Sequence, residues 1–261
     1  MTGVRWSEQA WPELQGLGPR SDGGYDVGLV PVGAIEQHGP HLPTGTDTIV
    51  ASAVCEAAAG LCGALVLPAV PVGCSYGHGT VLPGTLSLSP ELLAQVIRSY
   101  AEWAATSGLT RLLFVNAHFG NAAALGIATD HLRLFRPDLR VGWVDWWAAD
   151  AEVLAEVSAD GEDIHANRAE TSMVMALAPD LVHLDRCAEG DDPDRTGELV
   201  FRYTAPALSS NGVTGRPSEA TAELGHALLA RVAESIAARV RRGRTEEPPL
   251  GLAPVPHLTT P

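Results

Sequence analysis

Short apolar runs alternate with longer stretches of helical pattern along this 261-residue chain, and that alternation restricts the fold more than any other feature. Val27 to Ile35, Ala64 to Val72, Arg111 to Val115 and Val141 to Val144 have the length and near-continuous apolarity of strands buried on both faces. Pro68 and Pro71 interrupt the second. Helical patterns follow each run. The first covers Ile49 to Ala59, with Asp47 or Thr46 as the expected cap, and the second runs from Ser89-Pro90 to about Thr106. A third is capped by Asn121, a fourth covers 148–158, and His165 to Leu177 is a loop leading into a fifth. Pro217 to about Arg242 is the longest. Strands alternating with helices predict an α/β domain with a mainly parallel sheet, where ligands sit beyond the carboxyl ends of the strands. Residues 1–22 read as an N-terminal arm anchored by Trp6 and Trp11, 23–242 as one domain, and the Pro-rich 243–261 as a disordered tail.

Composition narrows the function classes. A net charge of −14 argues against a nucleic-acid partner, and no apolar stretch approaches the length of a membrane span. The N-terminus has no basic segment followed by an apolar core, so a signal peptide is not expected. Four cysteines without C-x-x-C spacing fit reduced thiols and a cytoplasmic location.

The segment Gly33-Ala-Ile-Glu-Gln-His-Gly-Pro-His-Leu-Pro-Thr-Gly-Thr-Asp47 follows the first strand and gathers Glu36, His38 and Asp47 around a Gly/Pro-rich turn. Glu36 and His38 are two residues apart, so on extended chain they leave from the same side. His118 follows the Arg111–Val115 strand, and Glu170 stands near the start of a helix. Carboxylates and imidazoles are ligands for zinc, manganese or iron. Three carboxylates and two histidines exceed the needs of one tetrahedral ion, and they fit two if Asp47 bridges. Each residue taken alone has a structural reading; together they predict a divalent-metal centre.

At this point the chain resembles the creatininase (creatinine amidohydrolase) family. The resemblance rests on Gly33-x-x-Glu-Gln-His-Gly-Pro-His-Leu-Pro43 with Asp47, on Pro83-Gly-Thr85 and on Val115-Asn-x-His-x-Gly-Asn121. It continues in His165-Ala-x-x-x-Glu-Thr-Ser172 and in Gly212-Val-x-Gly-x-Pro217 leading into Ala220-Thr221. It implies a three-layer α/β/α fold, a two-metal site, and a homo-oligomer, often a hexamer. Carried over by position, Glu36, His38, Asp47 and His118 are metal ligands, with Asp47 bridging, and His165 transfers a proton. Zinc is the first choice of metal, with manganese or iron as alternatives.

The chain departs from the family pattern in three places. Where creatinine-cleaving members have a glutamate two residues after the histidine matching His118, this chain has Gly120, and Glu170 is the substitute carboxylate. Ala117 and Phe119 replace smaller family residues beside His118. His78-Gly79 stands where many relatives carry Glu-His. These differences point away from creatinine itself.

The expected function is hydrolysis of the C–N bond of a small cyclic amide or related metabolite through a metal-bridging hydroxide, with His165 protonating the departing nitrogen. Substrate contacts are expected from Tyr76, His78, Trp146 and the backbone at Gly120, with Asn167 and Arg168 as weaker candidates. Trp143, Trp146 and Trp147 read equally as a stacking surface or as core. Two alternatives remain: a peptidase trimming a short modified peptide, like the mycofactocin-maturation members, and a non-catalytic metal-binding scaffold. The sequence also leaves open ring closure as the physiological direction.

Overall fold

The computed structural model describes residues 4–18, 25–79 and 81–251. Five parallel strands form one sheet: β1 (Val4–Arg5), β2 (Gly28–Val32), β3 (Leu65–Val66), β4 (Arg111–Asn116) and β5 (Arg140–Asp145), in the order β1-β3-β2-β4-β5. Helices α1 (Thr46–Cys62), α2 (Pro90–Thr106), α3 (Ala122–Phe135), α4 (Ala151–Val157), α5 (Arg168–Leu177), α6 (Cys187–Gly190), α7 (Ala205–Leu208) and α8 (Ala222–Gly243) complete the molecule.

Strand order explains the layers. From β2 the chain steps outward to β3 and then crosses back over β2 to reach β4. Both crossovers are right-handed by the chirality of twisted strands, so steps in opposite directions place their helices on opposite faces. One core accordingly joins α1, α4, α5 and α8 to sheet residues such as Leu29, Val115 and Val144. The other joins α2 and α3 to Val30, Val32, Leu112 and Phe114. Neighbouring strand residues alternate between the two cores, and all five residues of β2 are buried. The reversal of direction falls between β2 and β4, whose carboxyl ends therefore bound a crevice.

Side-chain caps fix four of the eight α-helix starts among the described residues. The Ser89 hydroxyl accepts from the Leu92 N–H at 3.2 Å, Asp150 accepts from Glu152 and Val153, and Thr221 accepts from Leu224 at 3.2 Å. Several expectations need correction. Gly45 precedes α1 without a side-chain cap, so Asp47 lies inside the first turn. Asn121 makes no capping bond to α3, because its amide is spent on Cys74, Gly33 and Asn116. The prolines shorten the expected 64–72 strand to Leu65–Val66, followed by an isolated bridge from Val70 to Val32. Residues 217–219 form a separate 3-10 turn, and α8 begins at Ala222.

The N-terminal segment contributes an edge strand. Trp6 packs against the α2/α3 core, whereas Trp11 is 75% exposed and anchors nothing. Of the expected arm and tail, 1–3, 19–22 and 252–261 lie outside the described residues. Residues 243–251 are described, and there Arg244 reaches Asp26 at 2.9 Å and Glu247 reaches Arg140 at 2.8 Å. The four cysteines are free thiols, and among the described residues no helix is long and apolar enough to cross a membrane.

Candidate metal centre and active site

Glu36 and His38 stand just beyond β2, His118 just beyond β4, Asp47 in the first turn of α1 and Glu170 in the first turn of α5. All five are buried. The Asp47 carboxylate divides its oxygens: Oδ1 lies 3.2 Å from His38 Nε2, and Oδ2 lies 3.7 Å from His118 Nδ1. Glu36 Oε1 is 3.2 Å from His118 Nδ1, and its Oε2 is 3.2 Å from His78 Nε2. His165 Nδ1 faces Glu36 Oε1 at 3.7 Å. Ligand atoms fall into sets within metal-sharing distance: Glu36 with His78 and His118, His38 with Asp47 and Glu170, and Glu36 with His38 and His165.

The backbone orients each ring. His118 Nε2–H donates to the Cys74 carbonyl at 2.9 Å and turns the Nδ1 lone pair into the cluster. His38 Nδ1–H donates to the Glu36 carbonyl at 3.2 Å and leaves Nε2 facing Asp47. Glu170 Oε2 accepts from the Ala166 N–H at 2.6 Å. That bond requires Ala166 to hold φ +52°, a left-handed conformation that costs a non-glycine residue about 1–3 kcal/mol. The Asn167 side chain caps α5 by accepting from Ala169 and Glu170, so it serves the helix, and Arg168 pairs with Glu156.

Three buried atoms of the cluster, Glu36 Oε2, His38 Nε2 and Asp47 Oδ2, meet their neighbours at ion-pair distance but without hydrogen-bond geometry. Buried polar atoms are seldom left so, and here they converge, which is the arrangement a cation resolves. The electrostatics agree. Burial disfavours charge on His38, but the adjacent Asp47 carboxylate outweighs it and raises the imidazole to about 10. Burial likewise opposes charge on His118, which Glu36 raises to about 9. Burial pushes Glu170 up to about 8 despite the pull of His38. The carboxylates around these rings therefore favour positive charge within the cluster.

A cavity of about 150 Å³ opens on Glu36, Asp47, His118, His165 and Glu170. Its far wall is less polar, with Phe119, Ile164, Tyr203 and Leu208. His78 lines the cavity, but Tyr76 and Trp146 do not: Tyr76 is 60% exposed, and Trp146 is fully enclosed in the core. The aromatic wall is Phe119, backed by Trp147 at 4.3 Å between ring centroids. Gly120 lies behind His118, where a Cβ would overlap the Cys74 carbonyl and His118 Nε2.

Gln37 escaped the sequence reading, although it sits between two ligands. Its Nε2 is 2.9 Å from the Gly212 carbonyl, 2.9 Å from His165 Nε2 and 3.1 Å from His78 Nδ1. Asp192 was also missed. Its buried carboxylate accepts from Ser209 Oγ at 2.8 Å and from Ser210 N at 2.9 Å, and it pairs with Arg195 at 2.6 Å. Ser209 Oγ in turn accepts from Gly212 N and Val213 N, so this carboxylate braces the start of the wall that carries Ser209, Gly212 and Thr214. No local motif announces Asp192.

A parallel α/β sheet with carboxylates and imidazoles gathered around a cavity at its switch point defines a class of proteins suited to binding divalent cations there. The model of one such family, described as creatininase, creatinine amidohydrolase, matches residues 7–240. The chain is 37% identical to the mycofactocin precursor peptide peptidase of Mycolicibacterium smegmatis over 82% of this chain and 84% of that protein. It is 30% identical to the creatinine amidohydrolase of Pseudomonas putida over 90% and 95% of the two chains. A solved creatininase variant of the Zn-Zn type superposes with a TM-score of 0.80 at 30% identity, covering 94% of this chain and 100% of that one. The chain belongs to the creatininase family. It is an amidohydrolase, an enzyme that hydrolyses carbon–nitrogen bonds.

Proposed function

We propose that this enzyme opens the amide bond of a small, preferably cyclic, metabolite at a centre for two divalent cations. The observation that carries this reading is the divided Asp47 carboxylate, with one oxygen 3.2 Å from His38 and the other 3.7 Å from His118, the imidazole that Glu36 also faces. Glu36, Asp47 and His118 would hold one cation and His38, Asp47 and Glu170 the other, with zinc favoured and manganese or iron(II) as alternatives. Such a pair supplies a water of lowered pKa and a polarised carbonyl. The Zn-Zn type of the solved relative supports the count and the metal.

The protein's own groups handle substrate and proton. His165 Nε2–H is held by the Gln37 carbonyl at 2.9 Å, which leaves Nδ1 turned toward the cluster. Burial, followed by the charges of His38 and His78, holds this imidazole well below its ordinary range. It is therefore neutral at pH 7 with Nδ1 free, and in the proposed reaction this atom would take a proton from the attacking water and pass it to the departing nitrogen. His78 Nε2, facing Glu36, contributes from the opposite side. Phe119, Tyr203 and Leu208 enclose the apolar part of a substrate, and a cavity of about 150 Å³ admits only a small group.

A peptidase is the second reading. It is favoured by the 37% identical relative and by Val200 (85% exposed) and Phe201 (72% exposed), close in sequence to the cavity residue Tyr203. The non-catalytic scaffold reading has no comparable support. A cytoplasmic homo-oligomer, hexameric as the family resemblance implies, belongs to the same proposal; the free thiols and net charge of −14 fit that setting.

The test is His165→Ala, assayed against a panel of lactams and short peptides. The variant is expected to keep its full metal content and lose about 10²- to 10⁴-fold in kcat. Undiminished turnover would remove His165 from the chemistry. Turnover of peptides with none of lactams by the native enzyme would select the second reading.

A further inference from the structure

The sequence contains no lysine, so its 17 basic side chains are all arginines. Five of them, Arg111, Arg133, Arg140, Arg239 and Arg242, line one cleft of about 920 Å³. Arg111 and Arg140 are the paired first residues of β4 and β5, so the cleft lies at the amino ends of these strands. The metal centre lies beyond their opposite ends. Arg133 comes from the last turn of α3, and Arg239 and Arg242 come from the end of α8. Helix carboxyl termini favour cations, which helps to gather the guanidiniums there.

Charge compensation inside the cleft is incomplete. Among the described residues its ion pairs are Arg133 with Asp130 at 3.0 Å and Arg140 with Glu247 at 2.8 Å. Arg140 also donates to the Glu246 carbonyl. The Nε atoms of Arg111 and Arg239 are buried without a hydrogen-bond partner, while Arg239 Nη2 donates to the Ala149 carbonyl at 3.0 Å. Each of these donors left unused carries a cost, and five arginines lining one cleft in a chain of net charge −14 run against the general field. Leu112, Leu113 and Val141 supply an apolar floor between the charges.

The guanidinium fork matches phosphate and carboxylate oxygens in pairs, and the chain already sets its own carboxylate, Glu247, against Arg140. We propose that this cleft binds a small polyanion, a phosphate- or carboxylate-bearing metabolite, through Arg111, Arg239 and Arg242. Glu247 is the internal anion with which it competes.

Calorimetric titration of the full chain with pyrophosphate, and in a second arm with citrate, tests the site. Saturable one-site binding that weakens with added salt is expected. Arg111→Gln with Arg239→Gln should weaken it at least tenfold. These two side chains are partly buried, so Arg133→Gln with Arg242→Gln provides a second pair at exposed positions, expected to weaken binding at least threefold with unchanged thermal unfolding. Glu247→Gln should tighten it. Binding in one arm identifies whether phosphate or carboxylate is preferred. Absence of saturable binding in both arms, or native affinity in both arginine pairs, overturns the proposal. Dissociation of an oligomer by the Arg133/Arg242 variant would also overturn it, by making the cleft a subunit interface.

Discussion

Gly120 has no side chain because there is no volume for one: the Cys74 carbonyl and the His118 ring occupy the space a Cβ would need. The same carbonyl orients His118. Gly120→Glu, which restores the carboxylate of creatinine-cleaving relatives, is therefore expected to push His118 aside. It should lower bound metal and reduce kcat/KM at least tenfold, as elemental analysis and initial rates would show; full activity would mean the loop relaxes freely. Single residues were legible in the sequence where their chemistry is local. Glu36 and His38 share a strand end, and Asp47 follows one turn of Gly and Pro. Glu170, taken as a substitute for the missing glutamate, lies in one set with His38 and Asp47. Gln37 was not legible, because its amide acts on Gly212, 175 positions away, and on His165, 128 away. Trp146 misled for a related reason: an aromatic after a strand end gives no sign of which side of the chain the core will take.

Among the elements, the loop from Ser209 to Gly215 depends most on one side chain. Burial opposes ionisation of Asp192, yet Arg195 and the donors of Ser210 and Ser209 outweigh it and pull the carboxyl down to about 2. An unfolded aspartate titrates near ~3.9. Because the folded value is the lower one, the stabilisation is complete above about pH 5 and disappears as pH falls through 2. Asp192→Asn should cost on the order of 1–2 kcal/mol at neutral pH and flatten the acid limb of the stability curve. Urea unfolding between pH 2 and 7 would show it, and an unchanged acid limb would contradict the assignment. Element positions were legible where side chains cap them, as at Ser89. They were not where tertiary contacts decide: β1 is a strand only because β3 lies beside it, and α1 starts at an uncapped glycine.

For the molecule as a whole, the two opposed crossovers bring ligands from α1, α5 and two strand ends into a space that withholds hydrogen bonds from three of their atoms. Cations bound there stabilise the folded state by mass action, about 4 kcal/mol for each ion held a thousandfold above its Kd. Chelation is expected to lower Tm by several degrees and abolish turnover, with both returning on addition of zinc. A Tm indifferent to chelator would separate the cluster from metal binding. The architecture was legible from the alternation of runs, and the site's position followed from the strand-end rule; the order of the strands was not, since nothing local records that β4 returns past β2.

That return has a consequence for biosynthesis. Glu36, His38 and Asp47 leave the ribosome long before Glu170 and the Thr214 wall, so the growing chain carries half a coordination sphere through most of its translation. The residue cluster closes only when α5 docks against α1, so a cation that needs Glu170 would bind after that helix has been made.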